Sequence, residues 1–442
     1  MMLLIYTPYL TARVQYTMQY VFSERLGVEY LLTTDKKKYF NETGILKIAY
    51  CDEYINEGLY FFANKLLFET DIKEVTLHED VSNNVKVFFS HNKRSALSFD
   101  VFAAIFYLLS RYEEYLNNPS GPHGNYDYQN SVLYKLNVLD TPVIEQWTEL
   151  LKGILIRDFP SIQFITHTPK AGLSFDVDVA FAYKARSFMR TVGGIFKKII
   201  FLSFSEATNQ VLTLLNKRHD MFDTYEYIFS RIQNKKSIFF FDMGTYGEFD
   251  KNPSYKNKKF QQLIKYVSGK GIIGMHPSYA SNAKKKLVAT EKSKLEQISG
   301  KLITASRQHY LKLKLPETFN TLISNNIEED FTQGYYYTYG FRAGTCNSFL
   351  FFDLLKNETT SLRLYPFAYM DGTLNDVLKM NIEEAKTVVS NLIDVTYKYN
   401  GIFIPLWHNS TLCNCNEWKG WREVFEHTLK GINDKNFEDL FN

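Results

Sequence analysis

Two aspartates interrupt the hydrophobic segment AGLSFDVDVA, residues 171–180. They are Asp176 and Asp178, and aspartate is both uncommon in strands and costly to bury without a partner. Residues two apart in a strand share a face, so the two carboxylates would point the same way. Two carboxylates this close do not both stay ionised without a cation nearby. We therefore expect a divalent metal ion or an arginine beside them, although solvated carboxylates at a strand end are the simpler alternative.

Three later apolar segments also end in ionisable residues. His276 follows GIIGM, Arg307 and His309 lie two residues apart in SRQHY, and His408 ends IPLWH next to Trp407. Histidine and aspartate together are common ligands of zinc and similar ions. Arginine can bind a carboxylate through two parallel hydrogen bonds. A histidine beside a tryptophan in a pocket suits a general acid that titrates near neutral pH, whereas a lone core histidine would do no chemistry.

These residues need a scaffold that brings strand ends together. Short apolar segments alternate with helical ones in the second half of the chain, which favours parallel βα units. Each segment ends in polar residues, among them Asp242 and Arg342, and Arg342 could equally well form a structural ion pair. Since strand ends converge at the mouth of a β/α barrel, we predict a distorted α/β barrel with its site there. The predicted strands are residues 172–178, 237–244, 271–277, 301–309, 339–344 and 401–409.

The first part of the chain has a different pattern and contains no defensible chemical motif. We predict strands in LLIYTP, EYLLTTD and ILKIAYCDE, a helix over residues 12–27, and a second helix that begins after Asp100 as its N-cap. These elements indicate a smaller α/β domain. The expected organisation is an N-terminal domain of unknown role over residues 1–165, followed by the barrel over residues 166–442.

Composition excludes several classes of protein. With 442 residues, 45% hydrophobic and 22% charged, the chain has the composition of a globular protein, and its net charge of +3 gives no nucleic-acid or membrane footprint. No apolar stretch is long enough to span a membrane. Cys51, Cys346, Cys413 and Cys415 are too few for a disulfide framework. We expect four reduced thiols and a cytoplasmic protein.

The second half resembles the polysaccharide deacetylase family, the NodB homology domain, in a branch with an additional N-terminal α/β domain. The resemblance covers roughly residues 170–442. SFDVD places Asp176 at the position of the catalytic base and Asp178 at a metal position. HPSYA places His276 at a second metal position, and SRQHY places Arg307 where an arginine orients the base. IPLWHN places His408 at the position of the histidine acid.

One family position is different. The family has a second metal-binding histidine four residues after the first, where this chain has Ala280. His309 is the expected replacement, with Ser281 or a water molecule as alternatives. The resemblance also places Asp330 near the site, and we expect Asp330, Arg342 and Trp407 to contact substrate. It implies one divalent ion, and the histidines favour Zn²⁺.

The implied reaction is the hydrolysis of an N-acetyl group, an amide that is not a peptide bond, on an amino-sugar-containing saccharide. Asp176 would accept the proton of the attacking water, Arg307 would keep Asp176 ionised, and His408 would protonate the leaving amine. The expected partner is the saccharide, with no nucleic acid and no membrane span. The identity of the saccharide and the oligomeric state are left open.

Two other functions compete. A metal-dependent glycosyltransferase also uses Asp-x-Asp after an apolar strand, but we find no phosphate-binding glycine loop in the first 165 residues. That alternative also leaves His276, Arg307 and His408 without a role. The second alternative is a catalytically impaired saccharide-binding protein that lost its metal together with the second histidine.

Overall fold

The computed structural model describes residues 2–116, 121, 123–186, 191–193, 200, 204–233 and 235–441. The chain folds as two compact units. Unit 1 comprises Met1–Thr168, Phe341–Pro366 and Lys398–Gly401, and unit 2 comprises Pro169–Gly340, Phe367–Tyr397 and Ile402–Asn442. Both are mixed α/β structures. Unit 1 is therefore built from segments far apart in the sequence.

The strands are short, and those that carry predicted site residues lie in unit 2. In chain order they are β1 (Leu3–Tyr6), β2 (Tyr30–Thr33), β3 (Leu46–Cys51), β4 (Leu59–Phe62), β5 (Asp80–Ser82), β6 (Val85–Val87), β7 (Lys170–Ala171), β8 (Leu173–Val177), β9 (Ser237–Asp242), β10 (Ile272–His276), β11 (Ala305–Ser306), β12 (Glu329–Asp330), β13 (Phe349–Asp353), β14 (Glu358–Leu364), β15 (Tyr369–Met370), β16 (Ile402–Phe403), β17 (Pro405–His408) and β18 (Glu438–Asp439).

The α-helices alternate with these strands in both units. In chain order they are α1 (Ala12–Met18), α2 (Lys36–Asn41), α3 (Val101–Leu109), α4 (Tyr112–Leu116), α5 (Val132–Lys135), α6 (Val143–Asp158), α7 (Phe204–Leu214), α8 (Tyr225–Ile232), α9 (Lys258–Ser268), α10 (Lys286–Ser299), α11 (Glu317–Ser324), α12 (Ile382–Lys398) and α13 (Arg422–Asp434). A π-helix, Gln19–Leu26, continues directly from α1.

Unit 1 has a parallel sheet in the order β2-β1-β3-β4. Helix α3 is buried along its whole length, which explains why its sequence is almost entirely apolar. Asp100 caps this helix as predicted and accepts hydrogen bonds from the backbone N–H groups of Phe102 and Ala103. The antiparallel pair β13–β14 completes the unit, with the ring of Phe352 5.1 Å from those of Tyr16 and Phe106.

The site in unit 2 is positioned by parallel strands in the order β12-β11-β10-β9-β8-β17-β15. Asp176 at the end of β8 is in register with His408 in β17, and His276 in β10 is in register with Asp242 in β9. Strands β8 and β9 are buried throughout, as expected of a sheet covered on both faces. The carboxyl ends of these strands thus carry the predicted site residues along one edge.

A closed barrel is not observed in the described part of the chain. Strands β12 and β15, at opposite ends of this series, are not paired with each other. The segment predicted as a strand over residues 301–309 forms only the two-residue β11. Residues 339–344 form turns instead of a strand, so Arg342 is not at a strand end. Strands β11, β12 and β15 are only two residues long, so they offer few backbone groups with which the two ends of the series could pair.

The prediction of four reduced thiols is wrong for two of them. Cys413 and Cys415 form a disulfide, while Cys51 and Cys346 are buried thiols outside any disulfide. The physical reason is a sharp turn at Asn414, whose φ of 55° lies in the left-handed region and brings the two neighbouring side chains together. Among the described helices, none is long and apolar enough to cross a membrane.

Candidate active site

A cavity of about 260 Å³ opens at the carboxyl ends of β8, β10 and β17. It lies entirely within unit 2. The residues predicted as catalytic or metal-binding meet at this cavity or directly behind it, because parallel strands place their carboxyl ends on one edge. The ionisable and aromatic side chains along its wall include Asp176, Asp178, His276, His309, Tyr310, Tyr336, His408 and Trp418.

Arg307 fixes Asp176 from behind the cavity. Its Nη1 donates to Asp176 Oδ1 at 2.8 Å, and both side chains are almost completely buried. The remaining Arg307 donors reach the backbone carbonyl of Phe331 at 3.0 Å and the hydroxyl of Ser174 at 2.8 Å. All three nitrogens of the guanidinium are therefore engaged, and only one oxygen of Asp176 is used. The other oxygen, Oδ2, lies 3.9 Å from His276 Nε2.

Asp178, His276 and His309 form a group whose potential ligand atoms all lie within 4.8 Å of one another. His276 Nε2 is 3.2 Å from Asp178 Oδ1, and His309 Nε2 is 3.6 Å from Asp178 Oδ2. Asp178 Oδ1 accepts no hydrogen bond from any described residue although it is buried. A carboxylate oxygen left without a donor beside two imidazole nitrogens fits a divalent cation.

The second nitrogen of each imidazole is held by an acceptor. His276 Nδ1 lies 2.5 Å from the carbonyl oxygen of Arg307, and His309 Nδ1 lies 3.0 Å from Asp250 Oδ1. Because an acceptor at Nδ1 places the proton there, each Nε2 keeps its lone pair toward Asp178. Outer partners of this kind usually orient metal-binding histidines. The arrangement therefore fits a metal centre in tautomer as well as in spacing.

The carboxylates around His309 favour a positive charge at its ring. Burial opposes protonation of His309, but the carboxylates of Asp178, Asp250 and Asp242 outweigh it and raise its pKa well above the usual range. Burial likewise opposes ionisation of Asp178, but His309 and His276 hold its pKa well below its usual value. Either a proton on His309 or a divalent ion at its Nε2 would supply the positive charge that these carboxylates favour.

His408 also faces Asp178 and is oriented by Asp371. His408 Nδ1 is 2.8 Å from Asp371 Oδ1, and its Nε2 is 3.4 Å from Asp178 Oδ2. Asp371 Oδ2 also accepts hydrogen bonds from the His408 backbone N–H at 2.7 Å and from the Thr411 hydroxyl. Burial opposes protonation, but Asp371 raises the pKa of His408 to about 10. The raised pKa favours the protonated imidazole, which can donate from Nε2.

The loop that carries His309 has an unusual backbone. Tyr310 and Leu311 adopt φ values of 58° and 51°, in the left-handed region that bulky residues rarely occupy. The ring of Tyr310 contacts those of Phe249 and Tyr279, with centroids 5.6 and 5.4 Å away. Strained residues of this kind persist only where the surrounding structure holds them. Here the strain lies directly beside a candidate metal ligand.

Two predicted substrate contacts in unit 2 do not line the cavity. Trp407 is fully buried and donates from its indole nitrogen to the Tyr369 hydroxyl at 3.2 Å. Asp330 is also fully buried and accepts hydrogen bonds from the hydroxyls of Ser306 and Thr332, at 2.8 and 2.9 Å. Burial raises the pKa of Asp330 to about 6. Neither side chain is exposed to the cavity, so this placement gives no support to a substrate contact at either residue.

Arg342 and Ser281 also differ from their predicted roles. Arg342 lies in unit 1, where its Nε and Nη2 donate to the two oxygens of Glu114 at 3.0 and 2.9 Å. It is the structural ion pair that the sequence allows as an equal alternative. Ser281, the alternative third ligand, donates its hydroxyl to the carbonyl of Ser278 at 2.7 Å and is not in the metal-binding group.

Sequence reasoning missed two carboxylates, Asp250 and Asp371. Asp250 lies in the loop after β9, and Asp371 follows the two-residue β15. Asp371 does have a sequence signal, because an Asp-Gly pair directly follows the apolar segment FAYM. Asp250 has none, since it lies in a polar loop well beyond the strand. Only its hydrogen bond to His309 identifies it.

Comparisons with known proteins give a family match for unit 1 and distant structural matches for the fold. A family of unknown function, DUF7033, matches residues 3–160. No curated protein sequence matches the chain.

Several solved structures match 61% of this chain. A Mycobacterium smegmatis protein assigned as a polysaccharide deacetylase is 13% identical, with 86% of its own chain covered and a TM-score of 0.39. The polysaccharide deacetylase Bc1974 from Bacillus cereus is 11% identical, with 90% covered and a TM-score of 0.31. A mutant of BA3943, a CE4 family pseudoenzyme with restored activity, is 9% identical, with 65% covered and a TM-score of 0.28. At these TM-scores the matches do not assign a function.

Proposed function

We propose that the chain is a metal-dependent hydrolase that removes N-acetyl groups from an amino-sugar-containing saccharide. The observation that carries this proposal is the placement of three groups around one cavity. Asp176 offers a free carboxylate oxygen, His408 offers the imidazole Nε2, and Asp178, His276 and His309 form a group that could hold a cation beside them. A base, an acid and a Lewis-acid site are what hydrolysis of an unactivated amide needs.

Asp178, His276 and His309 would hold the ion through one carboxylate oxygen and two Nε2 atoms. A divalent ion bound there would supply Lewis acidity that acidifies a bound water and polarises the acetyl carbonyl. Two imidazole ligands and one carboxylate favour zinc among the first-row ions. His309 would thus take the place of the histidine that the related motif has at the position of Ala280.

Asp176 would accept the proton of the attacking water at Oδ2. Arg307 supports this role because its hydrogen bond to Oδ1 holds the carboxylate in one orientation. The guanidinium is itself fixed by Phe331 and Ser174. The base is therefore set in place before the substrate binds, which limits the reorganisation needed during reaction.

His408 would donate its Nε2 proton to the nitrogen of the leaving amine. The hydrogen bond between Asp371 and Nδ1 orients the ring and stabilises its charged form. As the carbon–nitrogen bond breaks, the water oxygen stays on the acetyl carbon and the products are acetate and an amino sugar. The proton removed by Asp176 and the proton given by His408 balance the reaction.

Aromatic side chains support a saccharide as the substrate. Tyr310, Tyr336 and Trp418 line the cavity together with the polar groups described above. Aromatic rings pack against the apolar faces of sugar rings while neighbouring polar atoms bind the hydroxyls. Since all these residues belong to unit 2, we assign the activity to that unit, Pro169–Gly340, Phe367–Tyr397 and Ile402–Asn442.

Acetate release from N-acetylated oligosaccharides tests the proposal. The purified protein should contain one divalent ion per chain by elemental analysis and release acetate from at least one N-acetylglucosamine oligomer. Treatment with a chelator should abolish release, and added zinc should restore it. Metal binding without acetate from any N-acetylated saccharide would reject deacetylation, and transfer from a nucleotide sugar would favour the glycosyltransferase instead.

A further inference from the structure

We infer that Asp250 is a positioning residue that makes His309 a metal ligand. This inference rests on the proposed metal site and extends it to a residue outside the ligand group. His309 comes from the loop after β11, whereas the related motif supplies its second histidine from the loop after β10, where this chain has Ala280. A ligand that arises in a different loop needs its own support. Asp250 is a residue that contacts both loops.

One oxygen of Asp250 connects the two loops. Oδ1 accepts a hydrogen bond from His309 Nδ1 at 3.0 Å and from the backbone N–H of Tyr279 at 2.8 Å. The carboxylate is nearly buried. The preceding residue, Phe249, stacks on Tyr279 with ring centroids 4.0 Å apart and meets Tyr310 edge-on. Residues 249 and 250 thus contact both the loop after β10, which has Ala280, and the loop after β11, which has His309.

This contact decides which nitrogen of His309 faces the metal group. With Nδ1 donating to Asp250, the lone pair of Nε2 is directed toward Asp178, whose Oδ2 lies 3.6 Å away. Without that acceptor, the ring could adopt the other tautomer or rotate. The left-handed backbone conformation of Tyr310 and Leu311 costs free energy. A displacement of this loop that relieved the strain would therefore be favourable.

The same carboxylate could instead be a ligand of a second ion. Asp242, Asp250 and His309 also lie close enough to hold one, and Asp242 Oδ2 has no hydrogen-bond partner among the described residues. However, Oδ1 of Asp250 is already occupied by two donors. A Cβ at Gly244 would meet Asp242 Oδ1 at 2.9 Å and Asp250 Cγ at 3.3 Å, which shows how closely this region is packed. We therefore assign one ion per chain and a positioning role to Asp250.

Zinc titration of the full chain tests this role without any substrate. Isothermal titration calorimetry with zinc chloride should give one ion per chain for the wild type. Asp250→Ala should weaken zinc binding about 10- to 100-fold, as expected for loss of an outer partner of a metal-binding histidine. Asp250→Asn should weaken it less, because the amide oxygen can still accept from Nδ1.

Glu291→Gln is the matched control. Glu291 is a buried carboxylate that holds the same loop, since it accepts from the backbone N–H and hydroxyl of Ser278 at 3.0 and 2.6 Å. Its hydrogen bonds go to Ser278 and leave the one between Asp250 and His309 untouched. We expect the zinc affinity of Glu291→Gln to stay within about twofold of the wild type, because the group that orients His309 is intact.

A double-mutant cycle shows whether Asp250 acts through His309. His309→Ala should weaken zinc binding on its own, and adding Asp250→Ala should cause no further loss. Additive losses, unchanged affinity in Asp250→Ala, an equal loss in Glu291→Gln, or two ions per chain would each overturn the inference. If Asp250→Ala does not fold, the cycle is run with Asp250→Asn. Absence of acetate release would reject the proposed reaction and leave these zinc measurements unaffected.

Discussion

Each unit contains a buried arginine bound to a buried carboxylate, and the two pairs differ in how many oxygens are used. In unit 1, Arg342 binds both oxygens of Glu114, at 3.0 and 2.9 Å, and Arg111 Nη2 lies 2.9 Å from Glu114 Oε1. In unit 2, Arg307 binds only Oδ1 of Asp176, at 2.8 Å. Its other donors are directed to Phe331 and Ser174.

The difference shows what separates a structural ion pair from a candidate catalytic one. A carboxylate with both oxygens bound by guanidinium groups has no oxygen that is free of a donor. A carboxylate bound through one oxygen is held in one orientation, yet its second oxygen can still accept a proton. Burial and charge are similar in the two pairs. The number of free acceptor positions facing a cavity is what differs.

Asp176→Asn gives the largest expected effect on this contrast. The amide keeps the shape of the side chain and cannot accept the proton of water, so the rate of acetate release should fall about 10²- to 10⁴-fold. Zinc binding should be nearly unchanged, because Asp176 is not in the ligand group. The measurement is acetate release at saturating zinc, with zinc affinity measured on the same sample.

Asp178→Asn is the matched comparison, since it should weaken zinc binding first and activity with it. Full deacetylase activity in Asp176→Asn would contradict the role of its free oxygen as the base. In that case the one-oxygen pair in unit 2 would be as structural as the pair in unit 1.

Glu114→Gln should affect stability alone. It leaves Arg342 buried without its counter-charge and leaves Arg111 with only Glu113, whose Oε1 lies 3.6 Å from Arg111 Nη2. Breaking a buried pair in this way typically costs about 3–5 kcal/mol. Denaturant unfolding, followed by amide exchange in α3 and α6 of unit 1, measures the loss. Acetate release per folded molecule should equal that of the wild type, and a fall in that rate would mean that the two pairs are not functionally distinct.

Asp100 extends the contrast to a buried carboxylate without an arginine. Burial raises the pKa of Asp100 to about 6 from 3.8, although four neighbouring donors oppose the shift. In Glu114, burial also opposes ionisation, but Arg342 and Arg111 outweigh it and lower the pKa. The folded state therefore binds a proton more tightly at Asp100 and less tightly at Glu114. The two groups make opposite contributions to the pH dependence of stability.

The contribution of Asp100 is present below its unfolded pKa and is lost as the pH rises through about 6. Between pH 5 and pH 7 this loss amounts to about 1 kcal/mol. It should appear in amide exchange of α3 as the difference between the wild type and Asp100→Asn, since asparagine caps a helix equally well and does not titrate. A difference that does not change over this range would show that Asp100 is ionised throughout.

The sequence predicted those parts of the site that depend on local pattern. Asp176, Asp178, His276 and His408 lie at the ends of apolar strands, and parallel strands place such ends on one edge. His309 was predicted from its place beside Arg307 in SRQHY and as the replacement for a missing histidine, but no local signal shows that its ring faces Asp178. Trp407, next to His408 in the chain, points into the core because neighbouring residues of a strand face opposite ways.

The remaining features depend on contacts between distant segments. The carboxylates that orient His309 and His408 lie 59 and 37 residues away from their partners in the chain. The sequence predicted that strands alternate with helices. It did not predict how long each strand is, and β11 has only two residues where a strand over residues 301–309 was expected. Arg342 was ambiguous because its partner, Glu114, is 228 residues away.

The discontinuity of unit 1 has a consequence for the order in which the protein is made. Residues 1–168 leave the ribosome long before Phe341–Pro366, which supplies β13 and β14. Until then, the rings of Tyr16 and Phe106 lack their contact with Phe352, and the Tyr16 hydroxyl lacks the carbonyl of Leu350 to which it donates. The nascent N-terminal segment therefore exposes an apolar face while most of unit 2 is synthesised. Such a face is where chaperones bind and where a fragment ending at residue 168 would aggregate.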